Sequence, residues 1–183
     1  TPEGKHVLKT TMGLGILYMP FFFLAHVYAK FSHYAADGFS RPYHTALVIS
    51  CFFYLMIGLW YLRKLLLRYF TDNITALTLL GVYFGTNLVW YSTREAAMSH
   101  AFLFSIISIY LYFTVLWHEK PDWKNTIVVG VLIGLAILIR PTMAILSLPF
   151  LFFNVSSWKT FTDKIILFLK NWPLILLMIL CIL

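Results

Sequence analysis

The chain has 183 residues, of which 61% are hydrophobic and 11% charged, at a mean hydropathy of +0.81. Soluble domains carry about twice that charged fraction, so the composition excludes an ordinary soluble enzyme and points to a polytopic membrane protein. The net charge of +7 does not indicate nucleic-acid binding, because the basic residues stand in short connections between apolar runs, where they orient helices.

Residues 1–10 are polar. Residues 11–29 are apolar but interrupted by Gly13, Gly15 and Pro20, which fits either a short span or a helix lying in the interface. The polar connection 30–43 holds Asp37-Gly38, a turn signal, and Pro42, suited to the first turn of the next helix. Residues 44–61 form the first clear span and lead into the basic stretch Arg63, Lys64 and Arg68. Asp72 is placed to cap a helix over 73–89, in which Gly81 and Gly85 offer a small-residue face for close packing. A polar island follows, and the helix it opens covers 96–117. After the loop 118–124, the apolar run 125–139, with Gly130 and Gly134 on one face, leads to Arg140-Pro141 and resumes over 142–153. A polar, basic segment with an amphipathic middle occupies 154–172. The last apolar run, 174–183, is too short for a bilayer that needs about 20 residues. With a start at Thr1 rather than Met, the chain reads as an internal piece of a larger protein, one transmembrane domain of all-α class forming a polytopic helical bundle.

Lys and Arg at 63, 64, 68, 120, 124, 159, 164 and 170 fall on one side of this pattern, and Lys30, Arg41, Arg94 and Arg140 on the other. The richer set is expected to be cytoplasmic. The polar island and Arg140 then share the extracytoplasmic edge. The sequons at Asn73 and Asn154 would face the cytoplasm and are discounted. Cys51 and Cys181 lie in apolar runs and read as packed thiols.

The island runs from Trp90 to His100 and concentrates Arg94, Glu95 and His100 among small residues. One reading makes Ser92-Thr93-Arg94-Glu95 a capping box, with Arg94 and His100 as interfacial anchors. The other makes the island the lining of a polar pocket, since ionisable residues at a membrane edge are often functional. Glu95 and Ser99 share a helix face, whereas His100 lies well round from Glu95, so the two are not a paired acid and base. Arg140 is held at a helix end by Pro141, where its guanidinium suits a phosphate or carboxylate; the alternative is a snorkelling anchor. No metal-ligand spacing, glycine-rich phosphate loop or serine–histidine–aspartate set stands out. Asp37 reads as a turn residue.

Glu95 to His100, Gly134 to Thr142 and the stretches Met19–His26 and Asp37–Tyr43 together resemble the polytopic glycosyltransferases of the C superfamily, the group of protein O-mannosyltransferases and lipid A aminoarabinose transferases, and their bacterial members in particular. The resemblance implies transfer of a sugar from a prenyl-phosphate donor to an extracytoplasmic acceptor (protein, lipid or glycan) in the bacterial inner membrane. It puts Arg140 on the lipid phosphate and finds His100 where relatives carry a second acidic residue; Arg94 and His100, on the island, are the further substrate-binding candidates. It places the main catalytic acid upstream of Thr1 and leaves Glu95 as the nearby carboxylate. It also makes 11–29 an interfacial amphipathic helix. No cofactor is fixed, and a divalent metal is left open. Membrane lipid is an expected partner, nucleic acid is not, and further subunits of a membrane complex remain open. The competing readings are a non-catalytic subunit and a transporter or lipid-binding membrane protein.

Overall fold

The structure is a computed structural model and describes residues 12–182. The polar opening at 1–10, the first residue of the expected helix 11–29 and the last of 174–183 lie outside the described residues. Within them every regular element is helical: α1 (Met12–Phe31), α2 (Arg41–Leu66), α3 (Asp72–Phe84), α4 (Leu88–Thr93), α5 (His100–Glu119), α6 (Trp123–Ile139), a 3₁₀ segment (Pro141–Leu146), α7 (Ser147–Leu151), α8 (Trp158–Lys170) and α9 (Trp172–Ile182).

Helix α5 is the hub. Phe102, Ile106, Tyr110 and Trp117 are buried, as are the small polar residues Ser105, Ser108 and Thr114 between them. A helix apolar on nearly all sides belongs in a core or a bilayer, and α2 and α6 enclose α5 from two sides. On the α2 side Gly58 permits backbone approach: a Cβ there would lie 2.7 Å from the Ser105 Cα. The Ser105 hydroxyl lies 2.5 Å from the Tyr54 carbonyl and 3.0 Å from that of Ala101, so this polar atom is satisfied inside the seam. Ser108 bonds back to the Phe104 carbonyl at 2.8 Å.

The pairing register shows that α2 and α5 run parallel. Tyr54 packs on Phe102 and Tyr61 on Tyr112, while α3 and α4 return the chain between them. About ten residues of α2 therefore extend beyond the start of α5, roughly 15 Å at the helical rise. Helix α1 packs against this extension. Tyr54 Oη donates to the Leu17 carbonyl (3.2 Å), His26 Nδ1 lies 2.6 Å from Tyr43 Oη, and Ala25, Ala29 and Tyr43 form a small second core. Helix α6 runs back along α5, tied at its start by Trp117 Nε1 donating to Thr126 Oγ1 at 2.8 Å. Its Gly130 and Gly134 admit the backbone of α9. Beyond Arg140 the 3₁₀ segment and α7 retrace α5, where Tyr110 Oη donates to the Leu146 carbonyl (2.5 Å) and Phe150 packs on Trp117. Helices α8 and α9 meet at 82°.

Three helices, α1, α2 and α5, are long and apolar enough to cross a membrane, or four if the bent pair α8–α9 counts as one span. The segment expected in the interface, α1, thus has the length of a span as well, and Met19, Phe23, Leu24 and Val27 on its exposed side are apolar.

The region 72–89 departs from expectation. The helix stops at Phe84, and Gly85-Thr86-Asn87 separates it from α4. Thr86 Oγ1 donates to the Val82 carbonyl (2.7 Å) and accepts from Leu88 N–H (3.2 Å), so a side chain satisfies the broken ladder. Gly85 serves as the cap of α3, and the space beside Gly81 is open, so this glycine pair packs no helix among the described residues. Asp72 does not cap α3; its carboxylate pairs with Arg63 at 3.2 Å.

The two glycines make a matched test. Gly58→Leu overpacks the α2–α5 seam and should cost about 1–3 kcal/mol. Gly81→Ala fills open space in a helix and should be neutral or stabilising by about 0.5–1 kcal/mol. Thermal unfolding of the detergent-solubilised variants measures both.

Candidate functional site

Backbone chemistry shapes the polar end of the bundle. Ser92 sits inside α4, fully buried, with its hydroxyl 3.0 Å from the Val89 carbonyl and 3.3 Å from Tyr83 Oη. It is occupied there and caps nothing, so the capping box expected at Ser92–Glu95 is absent. Helix α4 ends at Thr93, the chain turns through 94–99, and α5 opens at His100 after Ser99 with no side-chain cap. Tyr18 of α1 holds this turn by donating its hydroxyl to the Ala97 carbonyl at 2.5 Å.

Arg140 arrives from the opposite direction. Pro141 bars its preceding residue from helical geometry, and Arg140 is extended (φ −147, ψ 118) at the end of α6. Its side chain turns to His100, with Nη2 3.4 Å from Nε2 across 40 residues of sequence. The guanidinium can only donate, so Nε2 accepts and His100 is neutral in this contact. The other face of the imidazole is set by Tyr91, stacked at 3.9 Å between centroids and 18° between planes. Gly13 of α1 lies against the Leu138–Ile139 backbone beside Arg140, at 2.7 Å for a Cβ. Three segments remote in sequence thus converge on one half-buried cation. No carboxylate pairs with Arg140 among the described residues, so its remaining N–H donors are free for an oxyanion.

Of the residues singled out from sequence, the fold brings Arg140 and His100 together. Arg94 and Glu95 are exposed on the turn beside them, and neither side chain makes a hydrogen bond or ion pair among the described residues. Glu95 is therefore not a cap. Asp37 holds a turn: Oδ1 accepts from Phe39 N–H (2.9 Å) and Ser40 N–H (3.0 Å), ahead of Gly38 at φ +86 and these bonds hold its carboxyl below the usual range. No three histidine, cysteine, aspartate or glutamate side chains gather among the described residues, and no metal is assigned.

Tyr91 and Tyr18 were not singled out as site residues. Tyr91 stacks on a residue nine positions away across a chain reversal, and Tyr18 belongs to what reads as an ordinary interfacial belt, so neither carries a local signal.

At the opposite end of α5, Arg68 pairs with Glu119, His118 stacks on Phe153, and Lys164 lies over Phe153 and Phe168. The connections 67–71, 118–122 and 152–157 thus gather at the far end of α5 from His100, about 28 Å along the helix.

Residues 39–183 match the family described as dolichyl-phosphate-mannose-protein mannosyltransferase. The matched region includes α2, the island and Arg140, and α1 precedes it. No curated protein and no solved structure matches the chain.

The Tyr91–His100 stack should behave as an aromatic pair. Tyr91→Phe keeps the ring and should leave thermal stability within about 0.5 kcal/mol, whereas Tyr91→Leu should lose about 0.5–1.5 kcal/mol. Equal effects from the two changes would leave the stack without energetic weight.

Proposed function

The chain belongs to the dolichyl-phosphate-mannose-protein mannosyltransferase family, integral membrane glycosyltransferases of the C type that use polyprenyl-phosphate sugar donors, and we propose that it moves a sugar from such a donor to an acceptor outside the cytoplasm. In this reading the His100–Arg140 pair receives the donor phosphate. The observation that carries it is the 3.4 Å contact that fixes, at the end of an apolar bundle, a guanidinium with no carboxylate partner among the described residues. A prenyl phosphate brings its anion to such an edge while its tail stays in lipid. Arg140 meets two phosphate oxygens with a planar fork. His100 fixes one end of that fork, and Tyr91 fixes His100. Arg94 and Glu95, on the exposed turn, face the acceptor side. Glu95, on the turn beside the pair, is a carboxylate available to assist transfer.

Purified protein tests this through donor binding and transfer. Loss of a charge-assisted contact of about 1.5–3 kcal/mol predicts that Arg140→Ala binds the donor lipid roughly tenfold to a hundredfold more weakly, with Arg140→Lys intermediate. Undiminished binding in Arg140→Ala would reduce Arg140 to an interfacial anchor. In the same assay Glu95→Gln should bind donor normally and fail to transfer; full transfer would remove Glu95 from the chemistry.

The extracytoplasmic placement of the site rests on the excess of basic residues at the Arg68–Glu119 end. Cysteine labelling checks it. Ser92 is buried, and the Asp122 carboxylate caps α6 by accepting from Asn125 N–H at 2.8 Å, so Thr93→Cys and Lys120→Cys, both at exposed positions, are the suitable probes. An impermeant reagent added outside should label position 93 and not 120. The reverse pattern would invert the orientation and sink the donor reading with it.

A further inference from the structure

At the Arg68–Glu119 end of the bundle, α8 differs from the longer helices: it is strongly amphipathic and none of its residues is fully buried. Its inner side meets the bundle, where Phe168 packs on Trp117 and Phe150 and Lys164 lies over Phe153 and Phe168. Its exposed side divides lengthwise. Trp158, Ile165 and Leu169 form an apolar strip that Trp172 continues into α9, and at helical spacing Lys159, Asp163 and Lys170 fall on the opposite strip. Neither lysine side chain has a hydrogen-bond or ion-pair partner among the described residues. The bend of 82° between α8 and α9 encloses an apolar groove of about 300 Å³, lined by Ile165, Phe168 and Leu169 and, across the bend, by Ile175 and Leu176. The apolar strip therefore lies on the concave side of the bend, the side toward which α9 runs. Gly130 meets Met178 and Gly134 meets Ile182, so α9 runs parallel to α6, and Trp172 stands level with Trp123 at the end of the bundle.

We propose that α8 is a docking surface for anionic lipid: it lies along the membrane edge at the Glu119 end, with Trp158, Ile165, Leu169 and Trp172 at the acyl boundary and Lys159 and Lys170 among acidic headgroups. Three observations select this partner. The first is level. Helix α5 is about 28 Å long from His100 to Glu119, close to the ~30 Å of bilayer hydrocarbon, and the packing of Phe168 on Trp117 holds α8 at the boundary. The second is direction. The concave apolar strip faces the bilayer interior that α9 enters, whereas a partner in water would meet the convex, polar side. The third is charge. Lys120, Lys124, Lys159 and Lys170 are all exposed at this end. Of the carboxylates beside them, Asp122 caps α6 and Glu119 pairs with Arg68, which leaves Asp163. Such a cluster draws acidic lipid. Helix α8 is thus an interfacial helix and not the first half of a bent span. This assignment involves neither Arg140 nor the donor.

Two measurements on the purified protein in single-copy lipid nanodiscs test this. In the first, spin labels are attached at positions 159, 163, 165 and 169 in a Cys51→Ala, Cys181→Ala background. Labels at 165 and 169 should collide with oxygen dissolved among the acyl chains, and labels at 159 and 163 with a water-soluble nickel complex. Nickel access at all four positions places α8 in water, and oxygen access at all four makes it part of a span. Protection of 165 and 169 from both reagents means that protein covers the strip. Each of these results overturns the proposal. The second measurement needs no substitution in the parent: phosphatidylglycerol or phosphatidylcholine with a photoreactive group near the top of one acyl chain is crosslinked, and adducts on residues 158–172 are counted. Phosphatidylglycerol should exceed phosphatidylcholine about fivefold, the preference that one lysine supplies at an acidic surface. Lys159→Gln combined with Lys170→Gln should level the two lipids. Lys30→Gln, which removes an exposed cation at the other end of the bundle, should leave the preference intact. Equal crosslinking of the two lipids in the parent, or the same loss of preference in Lys30→Gln, refutes anionic docking.

Discussion

The burial of α5 is the constraint from which the rest follows. Its side chains are apolar around most of its circumference, and Ser105 and Ser108 between them bond to backbone carbonyls. Gly58 brings α2 to contact distance, and α6 closes the other side. Once α5 is enclosed, its ends are the only places where polar chemistry can gather. His100 stands at one end and His118 at the other. Arg140 and the basic connections are thereby separated by the length of a helix that cannot shift without uncovering its own core.

Proline supplies the second constraint. Pro141 ends α6 and forces Arg140 out of helical geometry, so the guanidinium is delivered sideways toward His100 instead of along the α6 surface. The following 3₁₀ segment then turns back along α5 within a few residues. An arginine inside a continuous helix would have been free to snorkel. At this break its backbone N–H is bonded to Ala136 at 2.9 Å, and its side chain is fixed against an imidazole that is itself stacked on Tyr91. In the proposed role at the donor phosphate this rigidity is an advantage, because little ordering remains to be done on binding.

The α1–α2 hairpin adds a second layer to the architecture. It extends beyond the start of α5 and carries its own small core, with Tyr43 buried against α1. Tyr18 links it to the turn that bears Glu95. The hairpin is thus both a wall beside the polar end and an apolar surface in its own right.

By itself the amino-acid sequence determined the class: a chain this apolar and this poor in charge has to be a helical membrane protein, because only helices or closed barrels satisfy the backbone in lipid. It also determined the break at Arg140-Pro141, the turn at Asp37-Gly38 and the small-residue face of α6, since each depends on the intrinsic geometry of proline or glycine. What tertiary structure decided is which polar groups meet. Ser92-Thr93-Arg94-Glu95 has the letters of a capping box, yet Ser92 is drawn into the core beside Tyr83, because burial with its hydroxyl bonded to the Val89 carbonyl and the Tyr83 hydroxyl outweighs a cap worth about 1 kcal/mol. Gly81 and Gly85 have the spacing of a packing motif, yet the helix stops at Phe84 and nothing among the described residues approaches Gly81. The contacts of His100 with Arg140 and Tyr91 depend on the angle at which α4, α5 and α6 converge. That angle is set by the side chains enclosing α5, and no local pattern within the island encodes it.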